Sequence, residues 1–223
     1  MRSGLFISFE GTEGSGKTTQ MKLLVERLRR QGLSVTENQE PGTTIIGRQI
    51  RGVLLDPTHQ EMAPMTELLL MFASRTQAAA EIISPALRQG HIVVSDRFTD
   101  STLAYQGQAR GLRFDLVREM HRLTLDNLWP DLTLCIAVDV ETGLARAHHR
   151  NLAAGNGNRE TRIDQQSLAF HQNVMQGYKN IAASEPQRFR IVDGSGDPGV
   201  VASRVWNEIA PLIANTSDTE PEA

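Results

Sequence analysis

The sequence predicts an α/β fold in which a parallel sheet is covered by helices on both faces. Two observations carry this. Five short apolar runs, at residues 5–9, 33–36, 91–95, 132–138 and 189–192, alternate with longer stretches of helical periodicity. Near-continuous apolar strands separated by helices are the pattern of a parallel sheet buried on both sides. Four of the five runs also meet an acid at or near their end, namely Glu10, Asp96, Asp139 and Asp193. Open α/β sheets do their ligand chemistry beyond the carboxyl ends of the strands, so these acids stand where a site is expected.

Taken in order, the first strand leads into a helix in which Met21, Leu24, Val25 and Leu28 follow the i, i+3, i+4, i+7 rule, with Gly32 placed to end it. A longer helical pattern runs over about residues 66–87, and Pro85 near its end predicts a kink or break. Two later patterns, Phe170, Val174, Tyr178, Ile181 and then Val201, Val205, Ile209, Leu212, are helices that cover the sheet. Between Arg150 and Arg162 the chain reads Asn-Leu-Ala-Ala-Gly-Asn-Gly-Asn, aperiodic and rich in turn formers, and is expected to be a mobile lid. From Asn215 the chain is polar and acidic, which predicts a disordered tail over 215–223 after one domain spanning 1–214. A length of 223 residues supports a single sizeable core at about 150 residues per domain. No internal repeat is present.

Composition narrows the chemistry. Apolar residues make up 39% and charged residues 22%, ordinary globular usage. A net charge of −3 gives no basic field for nucleic acid or an anionic membrane surface, so neither is an expected partner. Of 23 basic residues only Lys17, Lys22 and Lys179 are lysines, so anion chemistry here is mostly guanidinium chemistry. Cys135 is the single cysteine and no cluster has metal-ligand spacing, which fits a reducing compartment and a small core side chain. The first ten residues turn polar too early for a signal peptide, and no apolar run approaches a membrane span of about 18 residues; the expected location is the cytoplasm.

The most specific local feature is GTEGSGKT, comprising Gly11, Thr12, Glu13, Gly14, Ser15, Gly16, Lys17 and Thr18, followed by Thr19. It matches G-x-x-x-x-G-K-[ST] between a strand and a helix, the context a phosphate-binding loop requires. Backbone N–H groups would close around a nucleoside triphosphate such as ATP, Lys17 would reach its β and γ phosphates, and Thr18 would give an oxygen to Mg2+. Asp96, ending the third strand, is the matching carboxylate for the metal, and Arg97 then points at the transferred phosphoryl group. A guanine-specific switch would carry Asn-Lys-x-Asp, and neither Lys22 nor Lys179 follows an asparagine. A motor or helicase-like ATPase would be expected to show an aromatic and basic stripe, which is lacking. A small-molecule kinase fits better. A phosphate acceptor carries about −1.5 to −2 charges, so bringing it to ATP calls for several arginines and a water-excluding lid.

Together, FEGTEGSGKTT at 9–19, EPG at 40–42, DRF at 96–98 and STLAYQGQARG at 101–111 resemble the thymidylate kinase family of the bacterial kind, over residues 5 to about 213. The resemblance implies dTMP + ATP → dTDP + ADP with Mg2+, a P-loop kinase fold with a five-stranded parallel sheet, and commonly a homodimer. By position, it implies Glu13 near the acceptor sugar 3′-hydroxyl, Arg97 and Arg51 at the acceptor phosphate, and Arg75 hydrogen-bonded to the thymine. It places Tyr105 where a ribose 2′-hydroxyl would sit, with Glu40, Pro41, Ser101, Thr102 and Gln106 as pocket neighbours. The alternatives are another nucleoside monophosphate or deoxynucleoside kinase on the same fold, or a non-catalytic nucleotide switch.

The chain also departs from the family's pattern. Gln39 and Thr43 stand where an arginine and a second glycine flank Glu-Pro-Gly. The base-stacking aromatic expected four residues before Arg75 is Met71, with Phe72 three before; a helix turns 100° per residue, so the two point differently, and both are candidates. The loop of arginines that would neutralise the transferring phosphoryl group is expected between 150 and 162. Arg150 and Arg162 are the first choices and Arg159 the third.

Overall fold

The computed structural model describes residues 4–153 and 162–217. Five strands, β1 (Phe6–Glu10), β2 (Val35–Gln39), β3 (Ile92–Asp96), β4 (Leu132–Ala137) and β5 (Phe189–Asp193), form one parallel sheet in the order β2-β3-β1-β4-β5. Helices α1 (Lys17–Arg30) and α9 (Pro198–Ser217) cover one face. The other face carries α3 (Pro64–Ala78), α4 (Ser84–Arg88), α5 (Thr99–Thr102), α6 (Phe114–Leu125) and α8 (Leu168–Ser184). The short α2 (Ile45–Leu55) packs on α3, and α7 (Val140–Ala153) leads from β4 toward the expected lid. Side-chain alternation divides the core: Ile7, Phe9, Val94, Leu134 and Ile136 pack under α1 and α9, while Phe6, Val93, Cys135 and Phe189 pack under α3, α6 and α8. Among the described residues no helix is long and apolar enough to cross a membrane.

The strands fall where the apolar runs predict, except that β2 begins two residues later and runs through Thr36, Glu37, Asn38 and Gln39. It is an edge strand, so only one side is paired and polar side chains are tolerated there. The long helical pattern is broken as Pro85 predicts. Residues Ala79–Ile83 widen into a π-turn in which the Ser84 N–H reaches back five residues to Ala79 O, making room for a ring that lacks an N–H and crowds the preceding turn. The final helix continues to Ser217, past the boundary expected at 214; the remainder of the acidic tail, 218–223, lies outside the described residues. So does 154–161, most of the expected lid, including Arg159.

On the face toward α5 and α8 the sheet changes from apolar to polar as it nears its carboxyl end. Asn38, Ser95, Ser8 and Thr133 are register partners across four strands, and all are buried. Each is bonded to the site above it. Asn38 Nδ2 donates to Ser95 Oγ at 2.8 Å and to Glu40 Oε1 at 3.4 Å, and Ser95 Oγ donates to Arg97 O at 2.6 Å. Ser8 Oγ donates to Glu10 Oε1 at 3.1 Å, and Thr133 Oγ1 to Asp100 Oδ2 at 2.8 Å. Buried polar groups must be paired, so this row ties the loops after β1, β2 and β3 to the sheet.

Candidate active site

A cleft of about 570 Å³ opens beyond the carboxyl ends of β1, β2 and β3. It is floored by the loop between β1 and α1. Gly14 there has φ +67°, and a Cβ would lie 1.9 Å from Gly143 O of α7, so only glycine lets the loop pass under that helix. The loop delivers Lys17 and Thr18 to the start of α1, where free N–H groups and the helix dipole favour phosphate. Lys17 Nζ lies 2.5 Å from Asp96 Oδ1, and Thr18 Oγ1 donates to Asp96 Oδ2 at 3.1 Å. Burial works against ionising Asp96, but Lys17 and Arg97 outweigh it and hold its carboxyl below the ordinary value. Hard oxygens from Thr18 and Asp96, brought together at the phosphate loop, fit Mg2+, which takes few protein ligands and completes its shell with phosphate and water.

Arg97 occupies the centre of the opposite wall at φ +71°, a conformation rarely adopted by a residue with a Cβ. Glu10 pins the peptide that follows: its Oε1 accepts the Phe98 N–H at 2.8 Å. Glu10 Oε2 accepts the Ser101 and Tyr178 hydroxyls, the latter at 3.0 Å, and both hydroxyls accept from Arg97 Nη1, at 3.0 and 3.2 Å. Burial pushes the Glu10 carboxyl up, against the pull of Arg97. Arg97 Nη2 reaches Glu13 Oε1 at 3.3 Å and Tyr105 OH at 3.2 Å, and Tyr105 donates to Glu13 Oε1 at 2.8 Å. Burial would raise Glu13 as well, but His171 and Arg97 dominate and lower it to about 2.

Tyr105 and Gln106 lie in a second π-helical segment, Leu103–Ala109, in which the Arg110 N–H bonds Tyr105 O at 2.9 Å, five residues back. Gln106 Nε2 donates to Glu67 Oε1 at 2.7 Å. Helix α8 lies close on this segment because Gly177 has no side chain; a Cβ there would sit 2.9 Å from Ala104 Cα. On the third wall Arg75 is buried, with Nε 2.5 Å from Glu40 Oε2, Nη1 donating to Thr102 Oγ1 at 2.9 Å and Nη2 to Phe98 O at 3.1 Å. Arg51 Nη1 donates to Pro41 O at 2.7 Å.

Most of the sequence-derived candidates therefore share one cleft: Thr12 to Thr19 of the loop, Glu40, Pro41, Arg51, Met71, Arg75, Asp96, Arg97, Ser101, Thr102, Tyr105, Gln106 and Arg150 all line it. Three candidates do not. Gly11 sits at the base of the loop behind the cleft, where a Cβ would lie 2.5 Å from Ile136 O and 2.8 Å from Ser15 Oγ. Phe72 points into the core, its ring 5.3 Å from the Arg75 guanidinium, so it backs the arginine while Met71 faces the cleft. Arg162 sits in a turn, 2% exposed, and is consumed by Glu67 Oε2 at 2.5 Å and Leu54 O at 3.0 Å. Arg150 stands exposed on the last turn of α7, with no ion-pair partner among the described residues. At the departure beside Glu40, the Thr43 hydroxyl accepts the Gln39 N–H at 2.6 Å and donates to Gln39 O at 2.7 Å, closing the Glu40-Pro41-Gly42 turn without a second glycine at 43.

Sequence reading missed His171, Tyr178 and Glu67 as site-builders. Tyr178 stands seven residues after His171, two turns along one face of α8, and Glu67, Met71 and Arg75 follow i, i+4, i+8 on α3. A polar side chain on an otherwise buried stripe is the signal in both helices.

A parallel sheet in this order, with a phosphate loop after the first strand and an Asp-Arg pair after its neighbour, defines the class of P-loop kinases. The comparisons refine this. A family model described as Thymidylate kinase matches residues 9–205. The thymidylate kinase of Syntrophotalea carbinolica is 49% identical over 201 residues, covering 90% of this chain and 93% of its own, and that of Pelobacter propionicus 50% over 212 residues, covering 95% of each. The crystal structure of thymidylate kinase from Ehrlichia chaffeensis superposes with a TM-score of 0.73 at 31% identity, covering 93% of this chain and 98% of that one. The chain belongs to the thymidylate kinase family and is a phosphotransferase.

Proposed function

We propose that the protein transfers the γ-phosphoryl group of Mg2+-bound ATP to dTMP, giving dTDP and ADP. The observation that carries this is Arg97, fixed between Glu10 and Glu13 and facing Lys17 and Asp96 across one cleft: a cation set for an acceptor phosphate opposite a loop set for a triphosphate. Lys17 and the α1 N-terminus bind the donor, while Arg97 and Arg51 draw the acceptor dianion into line. Thr18 and Asp96 would hold Mg2+, which when bound neutralises phosphate charge. Arg75 and Met71 form the wall for the base, and Glu13 and Tyr105 the floor for the sugar. An ADP-release assay over a panel of nucleoside monophosphates tests the reading; turnover without acceptor equal to turnover with dTMP would refute it.

Tyr105 makes a sharper test. Its hydroxyl bonds Glu13 while its ring fills the space beside the sugar, so Tyr105→Ala is expected to admit ribonucleotides and Tyr105→Phe to keep them out. Unchanged discrimination between TMP and dTMP in the alanine variant would remove the steric role.

The same reading makes the enzyme a cytoplasmic homodimer. Ile45, Ile46 and Val53 of α2 and Met65 and Leu69 of α3 are 42–72% exposed on one packed pair of helices, an apolar face suited to a second copy. Sedimentation velocity at micromolar concentration is expected to give a mass near twice 24.7 kDa.

A further inference from the structure

His171 is fully buried on α8, yet neither ring nitrogen has a well-formed hydrogen bond. Nδ1 lies 3.0 Å from Glu13 Oε2, close enough to donate but turned off the line of a good bond. A buried imidazole without a partner is costly, so the contact calls for a reason. The two oxygens of Glu13 are used differently. Oε1 gathers the Tyr105 hydroxyl and Arg97, while Oε2 is itself buried and meets only His171 among the described residues. His171 does not line the cleft, whereas Glu13 does. Its ring is held edge-on by Phe170 at 5.5 Å, and Phe170 meets the Tyr105 ring at 6.1 Å, so one cluster braces both ends of the carboxylate.

We propose that His171 is a positioning residue for phosphoryl transfer: its Nδ1–H anchors Glu13 Oε2, so that Oε1 is held where it orders Tyr105 and Arg97 for the acceptor. This rests on the reading of Glu13, Tyr105 and Arg97 as the acceptor side. A histidine that merely filled the core would be replaceable by any side chain of its shape, whereas an anchor requires a donor at the Nδ1 position.

The experiment compares His171→Phe, which keeps the ring and removes the donor, with His171→Asn, whose amide nitrogen falls near Nδ1. Glu13→Gln and the double variant Glu13→Gln/His171→Phe complete the set. Losing a hydrogen bond to a charged group predicts a fall in kcat/KM for dTMP of about tenfold to a hundredfold in His171→Phe. KM for ATP should stay within about twofold, His171→Asn should recover most of the loss, and the double variant should be no worse than Glu13→Gln alone. Equal losses in the two His171 variants, equal effects on both substrates, or multiplicative losses in the double variant would overturn the inference. Glu13→Gln changing the ATP parameters and not those for dTMP would instead overturn the acceptor-side reading, while the double variant still decides the anchor. Should His171→Phe not fold, the 15N shifts of His171 in the parent and in Glu13→Gln decide: a moved Nδ1 resonance supports the anchor and an unmoved one refutes it.

Discussion

Replacing Lys17 by alanine is expected to lower kcat by about a thousandfold while the fold survives. The rate loss follows from where Lys17 stands: at the first position of α1, with its ammonium beside Asp96 on the cleft proposed to take the triphosphate. A preorganised cation aimed at charge that grows in the transition state contributes about 3–4 kcal/mol, and its loss falls on kcat. Burial, and after it the charge of Arg97, lower the Lys17 pKa, while Asp96 and Glu10 act against that fall. The fold survives because the loop is shaped by Gly14 and by backbone contacts that alanine leaves in place. Asp96 keeps the Thr18 hydroxyl and opens on the cleft, where water can take the vacated side. The checks are steady-state kinetics with saturating ATP and dTMP, and a thermal melt. A kcat within about tenfold of the parent would mean that the phosphate loop does not carry the chemistry.

The sheet was legible because parallel strands buried on both faces must be apolar, and four of the five apolar runs are strands within two residues of their expected bounds. The fifth, β2, was displaced because an edge strand can be polar. Within the strands, Ser8, Ser95, Thr133 and Asn38 interrupt the apolar pattern at the same level of the sheet. Each interruption read alone is unremarkable; only the register shows that they form one row holding the site. The acids at the strand ends divide for a similar reason. Glu10 and Asp96 follow the central strands and enter the site, whereas Asp139 and Asp193 are exposed and serve local turns, Asp139 accepting from Thr142 N at 2.9 Å and Asp193 from Ser195 N at 2.9 Å. Asp96 meets the phosphate loop because it ends β3 directly beside β1; β4 flanks β1 as well, but Asp139 comes two residues after that strand ends, and β5, which Asp193 ends, is the far edge of the sheet. Placement in the fold decides for Met71 and Phe72 as well: helix geometry says they diverge, but which one faces the cleft depends on where α3 rests.

The two arginines at the ends of the expected lid should give opposite results. Arg150 is exposed at the cleft rim on the last turn of α7, so Arg150→Ala is expected to leave the melting temperature unchanged. If that guanidinium closes onto the transferring phosphoryl group, its loss costs a factor of about 10³ or more in kcat, the worth of a transition-state arginine. Arg162 is committed elsewhere. It joins Glu67, which also takes Gln106 and Arg110, to the Leu54 carbonyl, and so ties the chain entering α8 to α2 and α3. Removing one partner of a buried ion pair costs about 3–5 kcal/mol. Because Gln106 and Arg110 remain on Glu67, the lower figure is expected, a fall in melting temperature of about 6–12 °C. The kcat of Arg162→Ala, measured below that melt, should stay within about tenfold of the parent, since the guanidinium does not face the cleft. Calorimetry and steady-state kinetics on both variants separate the roles. A thousandfold loss of kcat in Arg162→Ala with an unchanged melt would show that Arg162 leaves Glu67 during turnover to act on the phosphate, and an unaffected Arg150→Ala would then move the transition-state cation from α7 to the far end of the lid.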